Sequence, residues 1–266
     1  MGNHSTAMQK LNTNHLLPHP VSRVGFGAFH IGRVAGDKYA SAHRELPTVT
    51  TCEELLHGVL DLGITLIDTA PAYGLSEERI GHILSSRRNE YNLCTKVGEL
   101  FENGSSVFDF SPSGMRASLE HSLRTLQTDY VDILLIHAPP NDLSVLLETD
   151  AIETMLAFKQ EGKTRAIGFS GKTLEAEKEA LPWSDVMMIE YSAANQDHKD
   201  TIELAHNAGK IVLIKKALNS GHLSNDEAVA FFANKTKKDD ASECIVIGSM
   251  DLSRMHQNVK TFTCQG

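Results

Sequence analysis

An aspartate and a phenol stand just beyond a short apolar run in Ile64-Thr-Leu-Ile-Asp68-Thr-Ala-Pro-Ala-Tyr73-Gly74. Ile64 to Ile67 reads as a buried strand that Pro71 and Gly74 prevent from continuing, so both ionisable groups fall at its C-terminal end. In a parallel α/β protein that end is where chemistry collects. Other apolar runs end in the same manner, in Thr95-Lys96, His137, Ser170, Glu190-Tyr191, Lys215-Lys216 and Gly248-Ser249. Singly, each has a plain structural alternative: Asp68 can hold a turn, Tyr73 can be an ordinary half-buried aromatic, His137 a satisfied structural histidine, and Lys96 a solvated cation.

Together Asp68, Tyr73, Lys96 and His137 form a set with interlocking roles. A free phenol has a pKa of about 10, too high to exchange protons easily near neutrality. Lys96 is expected to lower it and so tune Tyr73 as a general acid/base, with Asp68 as the counter-ion that a partly dry ammonium requires. His137 would hydrogen-bond the reacting oxygen or assist a proton relay. None of the four is a strong nucleophile, so proton transfer to a carbonyl oxygen suits them better than acyl transfer.

These residues meet only if the fold brings distant strand ends to one place. Eight short apolar runs, Arg23 to Phe29, Ile64 to Asp68, Asn92 to Val97, Val131 to His137, Thr164 to Ser170, Val186 to Tyr191, Ile211 to Lys215 and Cys244 to Gly248, alternate with helical patterns. Thr51 to Leu62, Ser113 to Leu126 and Ala151 to Gln160 carry apolar residues at helical spacing, and Ser76-Glu-Glu opens another helix with a cap and an acidic first turn. Weaker helices fit 173–180, 199–208, 226–234 and 251–260. Eight βα units in about 250 residues imply an α/β (β/α)8 TIM barrel, a single domain over 21–266 preceded by a polar N-terminal arm over 1–20. A doubly wound sheet is the structural runner-up, but Gly25-Phe-Gly27 is too weak for its phosphate-binding turn. The long connections 30–50 and 98–111 read as covers of the mouth, and Phe101, Phe108 and Phe110 either line an apolar pocket or pin the second connection to the barrel.

Gly248-Ser249 precedes a helix bearing Arg254 and Asn258, a candidate anion site at the barrel end where phosphates are commonly held, and Ser220-Gly221 adds a second hydroxyl-bearing loop. A plain cap with a solvated arginine is the alternative. The 41% hydrophobic and 22% charged content fits a globular chain, and no apolar run reaches the roughly 20 residues of a membrane span. A net charge of -9 without clustered Lys and Arg argues against nucleic acid as a partner. The four cysteines are widely spaced and indicate neither a metal site nor a disulfide framework, so a reducing, cytoplasmic setting is expected.

Ile67-Asp68-Thr-Ala-Pro-Ala-Tyr73-Gly74, Thr95-Lys96, Leu126-Gln-Thr-Asp-Tyr-Val-Asp132-Ile-Leu-Leu-Ile-His137 and Glu161-Gly-Lys-Thr-Arg-Ala-Ile-Gly168-Phe-Ser170 resemble, in order, the motifs of the aldo-keto reductase superfamily. The resemblance implies the barrel fold and NADPH-dependent reduction of an aldehyde or ketone, with the family's tetrad on Asp68, Tyr73, Lys96 and His137. It implies cofactor contacts at Ser170, Tyr191, Lys216, Leu218, Ser220, Gly221, Gly248, Ser249, Arg254 and Asn258, with Arg254 suited to a 2′-phosphate. The chain departs from the pattern at Gly171, Met188 and Lys215, where an Asn, a Gln and an aromatic residue commonly contact the nicotinamide. Those departures motivate an alternative, a nucleotide-binding regulatory subunit with little turnover; a Schiff-base lyase using Lys96 or Lys215 is a third and weaker reading.

Overall fold

In a computed structural model, eight parallel strands of this chain close into a barrel. The structure describes residues 16–34, 45–219, 222–224, 227–228, 230–232 and 243–263. In chain order the strands are β1 (Val24–Gly27), β2 (Leu66–Asp68), β3 (Asn92–Val97), β4 (Glu99–Glu102), β5 (Ser105–Phe108), β6 (Val131–His137), β7 (Thr164–Ser170), β8 (Val186–Glu190), β9 (Ile211–Lys215) and β10 (Glu243–Ile247). The barrel runs β1, β2, β3, β6, β7, β8, β9, β10 and back to β1, while β4 and β5 form a separate antiparallel hairpin. The helices are α1 (Val49–Asp61), α2 (Ser76–Leu84), α3 (Pro112–Thr125), α4 (Asp142–Glu148), α5 (Ala151–Gln160), α6 (Leu174–Ala180), α7 (Lys199–Asn207) and α8 (Leu252–Thr263). The (β/α)8 expectation is met; of the helix expected over 226–234, residues 227, 228 and 230–232 are described and are helical, and the others lie outside the described residues.

Strands buried on both faces read as continuous apolar runs, because alternate residues serve two different cores. Leu66, Cys94, Ile133, Leu135, Ala166, Val186, Met188, Leu213 and Cys244 fill the barrel interior. Their neighbours, among them Ile67, Leu93, Leu134, Ile136 and Ile167, pack outward with the buried faces of the helices. Leu17 and Val21 join the interior set, and Thr65 fixes the incoming chain by donating its amide to Ser22 Oγ and its hydroxyl to the Pro20 carbonyl.

Several elements differ from expectation. Ser76 does not cap α2: it is the first helical residue, and its hydroxyl turns inward to the Ala28 carbonyl at 2.9 Å. Glu77 is buried instead of facing solvent at the dipole. The connection 98–111 is the β4–β5 hairpin, pinned by its rings: Phe108 stacks on Phe110, whose edge fills the space over Gly98, and Phe101 lies beneath the Arg33 guanidinium. No sequence signal announces α4, which is one residue short of the usual minimum and follows Pro139-Pro140.

At the closed end Asp132, wholly buried on β6, receives the Leu93 amide and Arg88 Nη2, each at 2.8 Å, and faces Arg165 Nε at 3.2 Å. Asp132→Ala leaves the buried Leu93 amide unmatched and removes the carboxylate between Arg88 and Arg165, and is expected to lower unfolding free energy by about 3 kcal/mol in urea titration, without moving the residues at the mouth.

Candidate active site

Extending the interior alternation by one step gives the rim of the mouth. Leu66 leads to Asp68, Cys94 to Lys96, Leu135 to His137, and Leu213 to Lys215. Register sets His137 level with Ser170 and Glu190 level with Lys215. Met188 lies level with Leu213, one step deeper, so the residue beside Lys215 at the rim is Glu190.

Tyr73 comes from the loop after β2 and depends on a tight local turn. Pro71–Tyr73 form a single 3₁₀ turn, ended by Gly74 at φ +61°. A Cβ on Gly32 would lie 2.1 Å from the Tyr73 carbonyl oxygen, and one on Gly74 would lie 2.4 Å from the Gly32 carbonyl oxygen, so only two glycines allow this approach. The Leu75 amide bonds the Gly32 carbonyl at 3.0 Å and Arg33 Nη1 bonds the Ala72 carbonyl at 2.9 Å. Phe29 then meets the Tyr73 ring edge-on at 5.2 Å.

Lys96 is the junction. Its ammonium, 1% exposed, donates to Asp68 Oδ1 at 2.7 Å, to the Thr69 carbonyl at 2.8 Å and to the Tyr73 oxygen at 3.2 Å. All three donors of the ammonium are thereby used. Because the Tyr73 oxygen accepts from Lys96, its own hydrogen points elsewhere. Burial works against the charge on Lys96, but Asp68 beside it outweighs burial and holds the amine above its ordinary value. For Tyr73 the balance reverses expectation: burial pushes the phenol up to about 12, more than Lys96 brings it down. The resting phenol is a protonated donor.

His137 meets the Tyr73 ring edge-on at 6.0 Å, and its Nδ1 lies 2.8 Å from Glu99 Oε2. Burial lowers the imidazole's affinity for a second proton despite Glu99. Burial also works to raise Glu99, yet His137 and the Ser106 hydroxyl prevail and bring the carboxyl to about 2. Glu99 escaped sequence reasoning because nothing in Gly98-Glu99 announces a hairpin that folds back onto β6.

The expected cofactor residues divide. Ser170 is at the mouth, its hydroxyl accepting from Lys215 Nζ at 3.0 Å; Lys215 also donates to the Gly171 carbonyl, and burial pulls its amine down to about 8. Gly171 has a steric reason, since a Cβ there would meet the Phe169 ring at 2.5 Å. Tyr191 is not brought to the rim: it is buried outside the barrel, against Phe231 and Phe232. Lys216 pairs with Glu190, Leu218 packs against the outer core, and Gly248 closely faces the Gly27 carbonyl. The open helix N-terminus expected after Ser249 is already capped: Asp251 accepts the Ser253 and Arg254 amides at 2.8 and 3.3 Å. Arg254 is 70% exposed beside it, and Asn258 is buried. Ser220 and Gly221 lie outside the described residues. Hydroxyl and ammonium donors at the mouth, with an exposed guanidinium beyond β10, are a donor set that fits an anionic dinucleotide.

The chain is thus a closed parallel barrel with a buried Lys96–Asp68–Tyr73 cluster at its C-terminal rim. Residues 23–263 match the Aldo/keto reductase family, and the chain belongs to that family. It is 39% identical over 160 residues to L-galactose dehydrogenase of Arabidopsis thaliana, covering 58% of this chain and 46% of that protein. The chain matches about half the length of the curated relatives. A crystal structure from Pseudomonas aeruginosa, described as an aldo-keto reductase, superposes with a TM-score of 0.84 at 34% identity, over 98% of this chain and 95% of that one. An aldo-keto reductase from Klebsiella pneumoniae, solved in complex with NADPH, shares the fold with a TM-score of 0.70 at 20% identity, over 97% and 90% of the two chains.

Behind Lys96, burial pushes Glu77 up to about 7 against hydrogen bonds from Thr95 at 2.6 Å and Ser122 at 3.0 Å. The folded chain therefore binds this proton more tightly than the unfolded one. Glu77's contribution is fully present below 4.5, its unperturbed value, and is lost as pH rises through about 7. Glu77→Gln is expected to remove on the order of 2 kcal/mol from the fall in stability across that window, measured as urea unfolding free energy against pH.

Proposed function

We propose that this chain is an NADPH-dependent carbonyl reductase that converts an aldehyde or ketone to an alcohol. The observation that carries the proposal is the Lys96 ammonium, held by Asp68 and Thr69 and donating to the Tyr73 oxygen. A phenol so held has its hydrogen free for a substrate oxygen. The bound nicotinamide supplies hydride. As the substrate carbonyl oxygen gains alkoxide character it becomes far more basic than a phenolate, and Tyr73 gives it the proton. Lys96 then faces the phenolate and stabilises it, while Asp68 keeps the lysine charged.

Ser170 and Lys215 are the donors available to the nicotinamide end of the cofactor, and Arg254 is the cation available to a 2′-phosphate, which favours NADP over NAD. Membership of the Aldo/keto reductase family supports the cofactor assignment. Among the described residues no helix is long and apolar enough to cross a membrane. Cys52, Cys94 and Cys244 are free thiols, which suits a reducing, cytoplasmic setting.

Tyr73→Phe removes the proton donor and little volume. NADPH oxidation in the presence of an aldehyde panel is expected to fall by at least about 100-fold, with NADPH affinity by fluorescence titration within about twofold of the parent. Undiminished turnover would remove Tyr73 from the chemistry. Tight NADPH binding without turnover on any carbonyl compound would instead favour the nucleotide-binding regulatory subunit.

A further inference from the structure

We propose that Lys215 makes the mouth discriminate between the two redox states of a nicotinamide cofactor, its ammonium opposing the positively charged oxidised ring and leaving the neutral reduced ring unopposed. This rests on the carbonyl-reductase reading of the same site and assigns Lys215 a part in cofactor selection.

Lys215 is a partly buried cation whose bonds go to neutral groups. Its ammonium donates to Ser170 Oγ at 3.0 Å and to the Gly171 carbonyl. The nearby carboxylates are committed elsewhere. Glu190, level with Lys215 on β8, pairs with Lys216, and Glu177 of α6 lies 2.8 Å from His198 Nδ1. Lys96, the other lysine at the mouth, is matched by Asp68 and adds no net charge. Burial, reinforced by Lys216 and Lys96 and opposed by Glu177 and Glu190, brings the Lys215 amine down to about 8, and His137 and His198 lie within electrostatic reach of it. At neutral pH the side chain is still mainly an ammonium.

That ammonium shares the space through which hydride must pass. Lys215 reaches from β9 past β8 to Ser170 on β7, and Ser170 is level with His137, whose ring meets Tyr73 edge-on at 6.0 Å. A carbonyl whose oxygen accepts from Tyr73 has its carbon at this mouth, and a hydride donor must approach that carbon to about 3 to 3.5 Å. Adjacent strands are about 4.8 Å apart, so ring and ammonium are separated by on the order of one or two strand spacings. Across roughly 10 Å, at an effective dielectric of about 20, two unit charges still alter a binding constant by roughly a factor of 10.

The phosphates are the same in both redox states, so their attraction cancels from the comparison. What differs is the ring, neutral when reduced and positive when oxidised. Lys215 therefore lets NADPH load and hastens the departure of NADP+ after turnover. The overall equilibrium is untouched: hydride transfer within the site becomes less favourable by the same factor by which NADP+ is held more weakly.

Two binding measurements test this, and neither requires turnover. Dissociation constants for NADPH and NADP+ are measured by calorimetry in the parent chain and in Lys215→Met, which keeps most of the side chain's length without its charge. At about pH 7 the ratio of the NADP+ constant to the NADPH constant is expected to be at least about 10-fold larger in the parent than in the variant. In the parent that ratio is expected to fall as pH rises through about 8, where Lys215 loses its proton, and in the variant to stay level. The pH series on the unaltered chain decides the matter even where Lys215→Met does not fold. A ratio unmoved by Lys215→Met, or a parent ratio that stays flat across that pH range, overturns the proposal and leaves the carbonyl-reductase reading standing. Parent protein that binds neither nucleotide overturns the carbonyl-reductase reading and this inference with it.

Discussion

The site depends on one buried ion pair. Lys96 and Asp68 come from neighbouring barrel strands, and the 2.7 Å contact between them lets an ammonium persist where water does not reach it. Desolvation alone would strip the lysine of its proton; Asp68 prevents this, and Thr69 and Tyr73 take the remaining two donors. With the ammonium committed, the Tyr73 oxygen is fixed as an acceptor toward the protein and a donor toward the mouth. The same burial that threatens the lysine keeps the phenol neutral. One desolvated environment thus supports opposite charge states in adjacent groups, as required for an acid whose conjugate base is stabilised only once the proton has left.

The barrel makes that pair affordable by holding its strands in register. Interior residues alternate with outward ones, so a carboxylate, an ammonium and an imidazole each extend a ladder of apolar side chains by one step. Rigid strands supply Asp68, Lys96 and His137, whereas Tyr73 stands on a loop that two facing glycines and Arg33 pin against the first connection. The β4–β5 hairpin adds Glu99 from the far side of His137. Positions are set by strands where charge must be buried, and by pinned turns where a donor must reach outward.

Much of this was legible in the sequence because it follows from periodicity. The strand ends that carry Asp68, Lys96, His137, Ser170 and Lys215 are visible as polar residues terminating apolar runs, and eight such runs leave few other folds. What was not legible depends on packing across the chain. The sign of the Tyr73 shift turns on how deeply the phenol is buried, which its neighbours in sequence do not report. Glu77 looked like a dipole partner on an exposed turn, yet Thr95 and Ser122 draw it inside. Asp251 falls within the helix expected over 251–260, yet it stands just before that helix and occupies the amides that a phosphate was expected to use. Glu99 matters only because the hairpin turns back, and Tyr191, which follows a rim residue directly, faces the opposite core.

The most direct measurement of the central claim is the rate of NADPH oxidation in a single turnover, with enzyme in excess over aldehyde, in Lys96→Met against the parent chain. Circular dichroism and NADPH affinity serve as controls for folding and binding. A phenol that depends on the Lys96–Asp68 pair predicts a rate at least about 100-fold lower in the variant with both controls preserved. Equal single-turnover rates in the two proteins would contradict it.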